Sequence, residues 1–103
     1  MQIIFHAHHA VISENMRLRA ERLLRKVNGR IVRAVDAVVR FEQDGPVRRV
    51  EVVLHTPRRR PLIAEGRSKN YGPALAEAVE RLEAQLLHRK RTPKARARSL
   101  MRT

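Results

Sequence analysis

The stretch VDAVVRFEQDGPVRRVEVVLH, residues 35–55, decides the fold. Val35, Ala37, Val39 and Phe41 alternate with Asp36, Val38, Arg40 and Glu42. Val50, Val52 and Leu54 alternate with Glu51, Val53 and His55. A period of two puts each apolar set on one face of a strand. Gln43-Asp44-Gly45-Pro46 between them has turn composition, so the two strands form a hairpin. This reading requires Val39 and Val52 to face the layer that covers the sheet.

On the N-terminal side, Gln2 to Ala7 is short and apolar and reads as a strand, with Ile3, Phe5 and Ala7 on one face. Ser13 is an N-cap followed by Glu14, and Met16, Ala20, Leu23, Leu24 and Val27 recur at helical spacing up to the stop signal Asn28-Gly29. Arg22 and Arg25 mark the opposite face, with Arg17, Arg19 and Lys26 at its flanks; nothing in the pattern accounts for Leu18. On the C-terminal side, Thr56 to Pro61 is a loop carrying Arg58, Arg59 and Arg60, and Leu62 to Gly66 is a fourth strand. A helix then runs from about Pro73 to Arg91, with Leu75, Ala78, Val79, Leu82 and Leu86 as its apolar stripe. Its acidic residues lie towards the start, and His88, Arg89, Lys90 and Arg91 lie at the end, as the helix dipole favours. The expected order is β-α-β-β-β-α: an α+β fold in which two helices cover one face of a four-stranded sheet.

The chain has 103 residues, so it holds one core, with or without a tail. With no cysteine, disulfides, thiolate metal sites and cysteine nucleophiles are excluded. No apolar run is long enough to cross a membrane as a helix, and MQIIFHAHHAVI lacks the marks of a secretory signal, so a cytoplasmic location is expected. Twenty-three Lys and Arg against ten Asp and Glu give a net charge of +13. Such a field attracts polyanions. Nineteen of the basic residues are Arg, whose planar fork fits phosphate. Phe5, Phe41 and Tyr71 are the only aromatics, too few for a base-stacking platform, so phosphate and shape recognition is favoured.

Residues 1–88 hold 16 basic and all 10 acidic residues, whereas residues 89–103 hold seven basic and no acidic ones. With Pro93 as a helix stop, residues 1–91 form the folded unit and residues 92–103 a disordered basic tail in this reading. The seven unopposed charges point to nucleic acid, and the triple-arginine loop is either a phosphate-contacting finger or a solvated turn. His6, His8 and His9 lack the partners a metal site needs, Ser13 is a cap rather than a nucleophile, and no phosphate-cradling glycine loop is present. No enzyme constellation, metal site or cofactor is expected. Tyr71, between strand and helix, is either a packed lid or an exposed stacking ring, and the need of the following helix for an anchor favours the lid.

The opening MQI, the Ser13-capped helix, the strands VDAVVRFE and VRRVEVVLHTP, the segment IAEGRS and the helix ALAEAVERLEAQLLHRKR together resemble the bacterial ribosome hibernation-promoting factors, also called ribosome-associated inhibitors or sigma-54 modulation proteins. The resemblance covers residues 1–91 and is to a short form, without the additional dimerisation domain of the long forms. It implies a fold similar to a double-stranded RNA-binding domain. It also implies binding of small-subunit rRNA in the decoding channel, over the A and P tRNA sites, and a stress response that silences idle ribosomes by occlusion. By position it implies RNA contacts from Arg22, Arg25 and Lys26 on the first helix and from Arg81, His88, Arg89, Lys90 and Arg91 on the second. Arg58, Arg59, Arg60 and Lys94 are additional candidates. A ribosome-dimerising factor is a further candidate partner, and no membrane or small-molecule substrate is expected. Two other readings are a protein-interaction regulator acting on transcription, using the sheet face of Ile4, Val38, Val53 and Ile63 or the tail, and a general binder of structured RNA.

Overall fold

The computed structural model describes the backbone of residues 1–30 and 33–102, and the side chains of these residues as far as Arg89. The elements in chain order are β1 (Gln2–His8), α1 (Glu14–Arg30), β2 (Asp36–Asp44), β3 (Val47–His55), β4 (Leu62–Ser68) and α2 (Tyr71–Arg102). The strands form one sheet in the order β1-β2-β3-β4. β1 runs parallel to β2, and the other neighbours are antiparallel. A parallel pair needs a crossover, which α1 supplies, while β2 and β3 need only the two-residue turn Gly45-Pro46. Gly45 sits there at φ 59°, in the left-handed region that suits a residue without Cβ.

The alternation in residues 35–55 sets the register. Val39 lies opposite Val52, and Ala37 opposite Leu54. All four are buried under the helices with Phe41, Val50, Leu62 and Ala64, against Ala20, Leu24 and Val27 of α1 and Ala74, Leu75, Ala78, Leu82 and Leu86 of α2. β4 approaches α2 so closely at Gly66 that an added Cβ would lie 1.9 Å from the Ala74 carbonyl oxygen, so only glycine fits there. The Ser13 side chain accepts the Met16 N–H at 3.1 Å, as its role as a cap requires.

Several boundaries differ from expectation. Val35 pairs through its backbone with both Gln2 and His55, but its side chain is 56% exposed, because Ala34 takes the place against the core. Asn28-Gly29 lies inside the last turn of α1, where the Asn28 side-chain oxygen accepts the Ala34 N–H at 2.7 Å and so fixes the returning chain. β4 continues to Ser68, and α2 begins at Tyr71. α2 also passes through Pro93 to Arg102 rather than ending at Arg91. A proline inside a helix costs about 3 kcal/mol, and the residues that follow it, Lys94, Ala95, Arg96 and Ala97, are strong helix formers. Among the described residues, no helix is long and apolar enough to cross a membrane.

α2 also closes one edge of the sheet. Glu77, Arg81, Gln85 and Arg89 recur every four residues along one helix face. The Glu77 carboxylate accepts the Arg67 N–H, Arg81 donates to the Glu65 carbonyl at 2.8 Å, and Gln85 donates to the Ile63 carbonyl at 2.9 Å. Arg89 donates to the Arg60 carbonyl at 2.8 Å and to the Thr56 hydroxyl at 3.0 Å. Backbone groups that would otherwise recruit another strand are thus held by helix side chains.

Candidate nucleic-acid interface

The topology gathers basic residues at one end of the sheet. β1 and β2 begin at this end and β3 finishes there, because Gln2 pairs with Asp36 and Asp36 with His55. The β3–β4 loop with its three arginines therefore emerges there. α1 returns to it, since Arg25 donates to the Met1 carbonyl at 3.2 Å. α2 reaches it through the contacts of Arg89 with Thr56 and Arg60.

The candidate residues fall into different local states. Arg22 and Lys26 are one turn apart on α1, both exposed, and neither has an ion pair among the described residues. Arg25, beside them, is tied to Glu21 at 3.2 Å and to Met1. Arg58, Arg59 and Arg60 are exposed, and Arg58 has a left-handed φ of 59°. Their loop meets the end of α2: burial, then the nearby positive charge of Arg59, lowers the Arg89 pKa from its ordinary value. Arg89 still carries its charge, but several of its donors serve the fold. Arg81 is not brought to the α1 group. Its guanidinium is held at the β4 edge by Glu65 and by Glu77 at 3.3 Å. His88 is exposed on α2. The side chains of Lys90, Arg91 and Lys94 lie outside the described residues.

Two basic residues at this end were not singled out in the sequence: Arg30 in the last turn of α1 and Arg33 before β2, both exposed. The signal was present in the unopposed arginines of NGRIVR, but the helix stop drew the reading there instead.

The opposite face of the sheet has another character. Arg49 lies within 4 Å of Glu42, Glu51 and Glu65, Arg40 pairs with Glu51 at 3.7 Å, and Arg67 pairs with Glu65. His55 pairs with Asp36. His6 and His8 line a shallow groove of about 380 Å³ with Arg40, Glu42 and Arg49. Among the described residues, no three His, Asp or Glu side chains form a group that could hold a metal ion.

The aromatic rings are committed to packing. Tyr71 stands edge-on to Phe41 at 5.5 Å, with the Arg48 guanidinium 5.6 Å from its centroid, and Phe5 stacks on Phe41 at 6.4 Å. Burial raises the Tyr71 pKa, which fits its role as a lid. The exposed chemistry of the basic end is therefore guanidinium and ammonium, suited to phosphate rather than to bases.

No curated protein matches the sequence. Among solved structures, the fold is similar to a ribosomal subunit interface protein from Coxiella burnetii, with a TM-score of 0.81 and 19% identity over 87% of this chain and 98% of that one. It is also similar to the N-terminal domain of Thermus thermophilus Protein Y, with a TM-score of 0.74 and 24% identity over 84% of this chain and 96% of that one. The model of the family described as sigma 54 modulation protein / S30EA ribosomal protein matches residues 3–94, nearly the whole chain, and the protein therefore belongs to this family of ribosome-associated cytoplasmic proteins.

Proposed function

We propose that the protein binds rRNA of the small ribosomal subunit with its basic end, in the decoding channel over the A and P tRNA sites, and inhibits translation in idle ribosomes by occlusion. The observation that carries this reading is the convergence of Arg22, Arg25 and Lys26 of α1, the Arg58–Arg60 loop and Arg89 of α2 at or beside one end of a rigid sheet. Family membership supports the ribosome as the target. Charges on a packed scaffold meet fixed phosphates with little ordering cost, whereas charges that must be ordered on binding lose part of their gain. The binding unit is residues 1–91, and the basic residues 92–103 add attraction without being needed for occlusion.

The mechanism needs no bond chemistry. A wedge neutralises phosphates, releases counterions and fills the space that tRNA and mRNA require. The test is a cell-free translation titration with folded variants. Arg25→Ala, and Lys90→Ala combined with Arg91→Ala, should relieve inhibition more than Arg96→Ala with Arg98→Ala. Deleting residues 93–103 should weaken binding modestly and lower its salt dependence. Loss of inhibition on that deletion, with the helix variants unchanged, would overturn the wedge. The same variants, co-sedimented with ribosomal particles, separate this reading from a protein-partner regulator and from a general RNA binder.

A further inference from the structure

The outer face of the sheet is self-complementary. The strand pairings place Ile4, Val38, Val53 and Ile63 in one row across all four strands. Ile4 is 37% and Ile63 56% exposed, so this aliphatic row is open to solvent. On one side of it lie Asp36 and His55. On the other lies the row His6, Arg40, Glu51 and Glu65, and then the row His8, Glu42, Arg49 and Arg67. With Asp44 at the end of β2, the five acidic and three Arg side chains of this face sum to about −2, against +13 for the whole chain, so the face does not attract RNA as the basic end does.

We propose that this face is a contact site for a second copy of the chain, related by a two-fold axis lying between β2 and β3 and close to parallel with the strands. Such an axis keeps each row and reverses the strand order. Val38 then meets Val53 of the second copy, and Ile4 meets Ile63. Arg40 meets Glu51, Glu42 meets Arg49, Asp36 meets His55 and His6 meets Glu65. Arg40 with Glu51 and Glu42 with Arg49 are the pairs of opposite charge, and His8 meets Arg67 with none. Sheets packing face to face keep their strands nearly aligned, which this axis satisfies. A two-fold across the strands would overlap fewer rows, because the aliphatic row lies near one end of the face.

The area limits the strength. Four strands about 4.8 Å apart and seven residues of about 3.3 Å give a footprint of roughly 440 Å² on each copy. That is below a standard stable interface, so the dimer is weak and transient. Its formation leaves the helices of both copies exposed and brings the two basic ends side by side. Salt, which screens that repulsion, should therefore strengthen self-association while it weakens RNA binding.

The test is sedimentation equilibrium of the full-length chain, wild type and variants, across salt concentrations, each variant first checked by thermal melting. Wild type should self-associate at high protein concentration, increasingly with salt, and Ile63→Lys should be monomeric. Arg40→Glu and Glu51→Arg should each lose self-association at least about tenfold, because each places like charges opposite one another. Mixed together they should form a heterodimer, because both contacts between positions 40 and 51 of the two chains then join opposite charges. Should Glu51→Arg fail to fold, single-cysteine Val38→Cys and Val53→Cys chains carry the same test, since the native chain has no cysteine. Their mixture should cross-link faster than either alone. A wild-type monomer at all concentrations, a mixture that stays monomeric, or faster cross-linking of either cysteine chain with itself would overturn the proposal.

Discussion

Arginine is abundant on the sheet's outer face and at its basic end, but it is used in different ways. On the outer face, Arg40, Arg49 and Arg67 are placed by the strand register beside Glu42, Glu51 and Glu65, and the charges close on one another. At the basic end, Arg22, Lys26 and the Arg58–Arg60 loop sit on α1 and a loop, where no described acidic side chain pairs with them. Net charge therefore does not locate a polyanion site. A sheet brings charges from separate strands into opposition, whereas a helix face and a loop can project one sign outward.

The largest effect should come from salt. If about six phosphates are neutralised, RNA affinity should fall on the order of a thousandfold between 50 and 200 mM salt, measured by filter binding with small-subunit rRNA. A flat response would remove the contrast between the two regions. The core that holds them apart should be nearly as sensitive. Val39→Asp or Val52→Asp buries an unpaired charge in the hairpin and should cost more than about 3 kcal/mol in a denaturant melt. A loss below about 1 kcal/mol for both would mean that the strand register is wrong.

A smaller effect divides the arginines further. Arg81→Ala and Arg89→Ala remove donors to backbone carbonyls at the sheet edge and should each destabilise by about 0.5–1.5 kcal/mol. Arg22→Ala should stay within about 0.5 kcal/mol of wild type. Equal melting temperatures for all three would mean that the edge contacts contribute nothing. On the outer face, Arg40→Ala removes a pair whose Arg side chain is 60% exposed and should change stability by less than about 1 kcal/mol.

Much of this arrangement was legible in the sequence, for local reasons. The period of two in residues 35–55 showed which side chains are buried, because a half-buried strand must alternate. Ser13 marked the start of α1 because a cap acts within one turn. The site was less legible. The family resemblance implies Arg81 and Arg89 as RNA contacts, and the structure adds that both donate to backbone carbonyls sixteen or more residues away in sequence. No pattern within the helix reveals such partners. That Arg30 and Arg33 share an end of the sheet with the triple-arginine loop follows from the strand order, which the local pattern does not show. The end of α2 is not legible from Pro93, because a proline inside a helix is a finite cost and not an absolute stop.

The most direct test of the central claim removes the same charge from each region. One variant carries Lys26→Ala and Arg59→Ala, both at the basic end. The other carries Arg40→Ala and Arg67→Ala, both on the outer face. Each loses two positive charges, so net charge is matched. Binding to small ribosomal subunits is then measured by co-sedimentation at a fixed moderate salt concentration. The first variant should bind at least about tenfold more weakly while the second stays within about twofold of wild type, two phosphate contacts being lost in one case and none in the other. Equal losses in both would contradict it, and would mean that total charge rather than its placement governs binding.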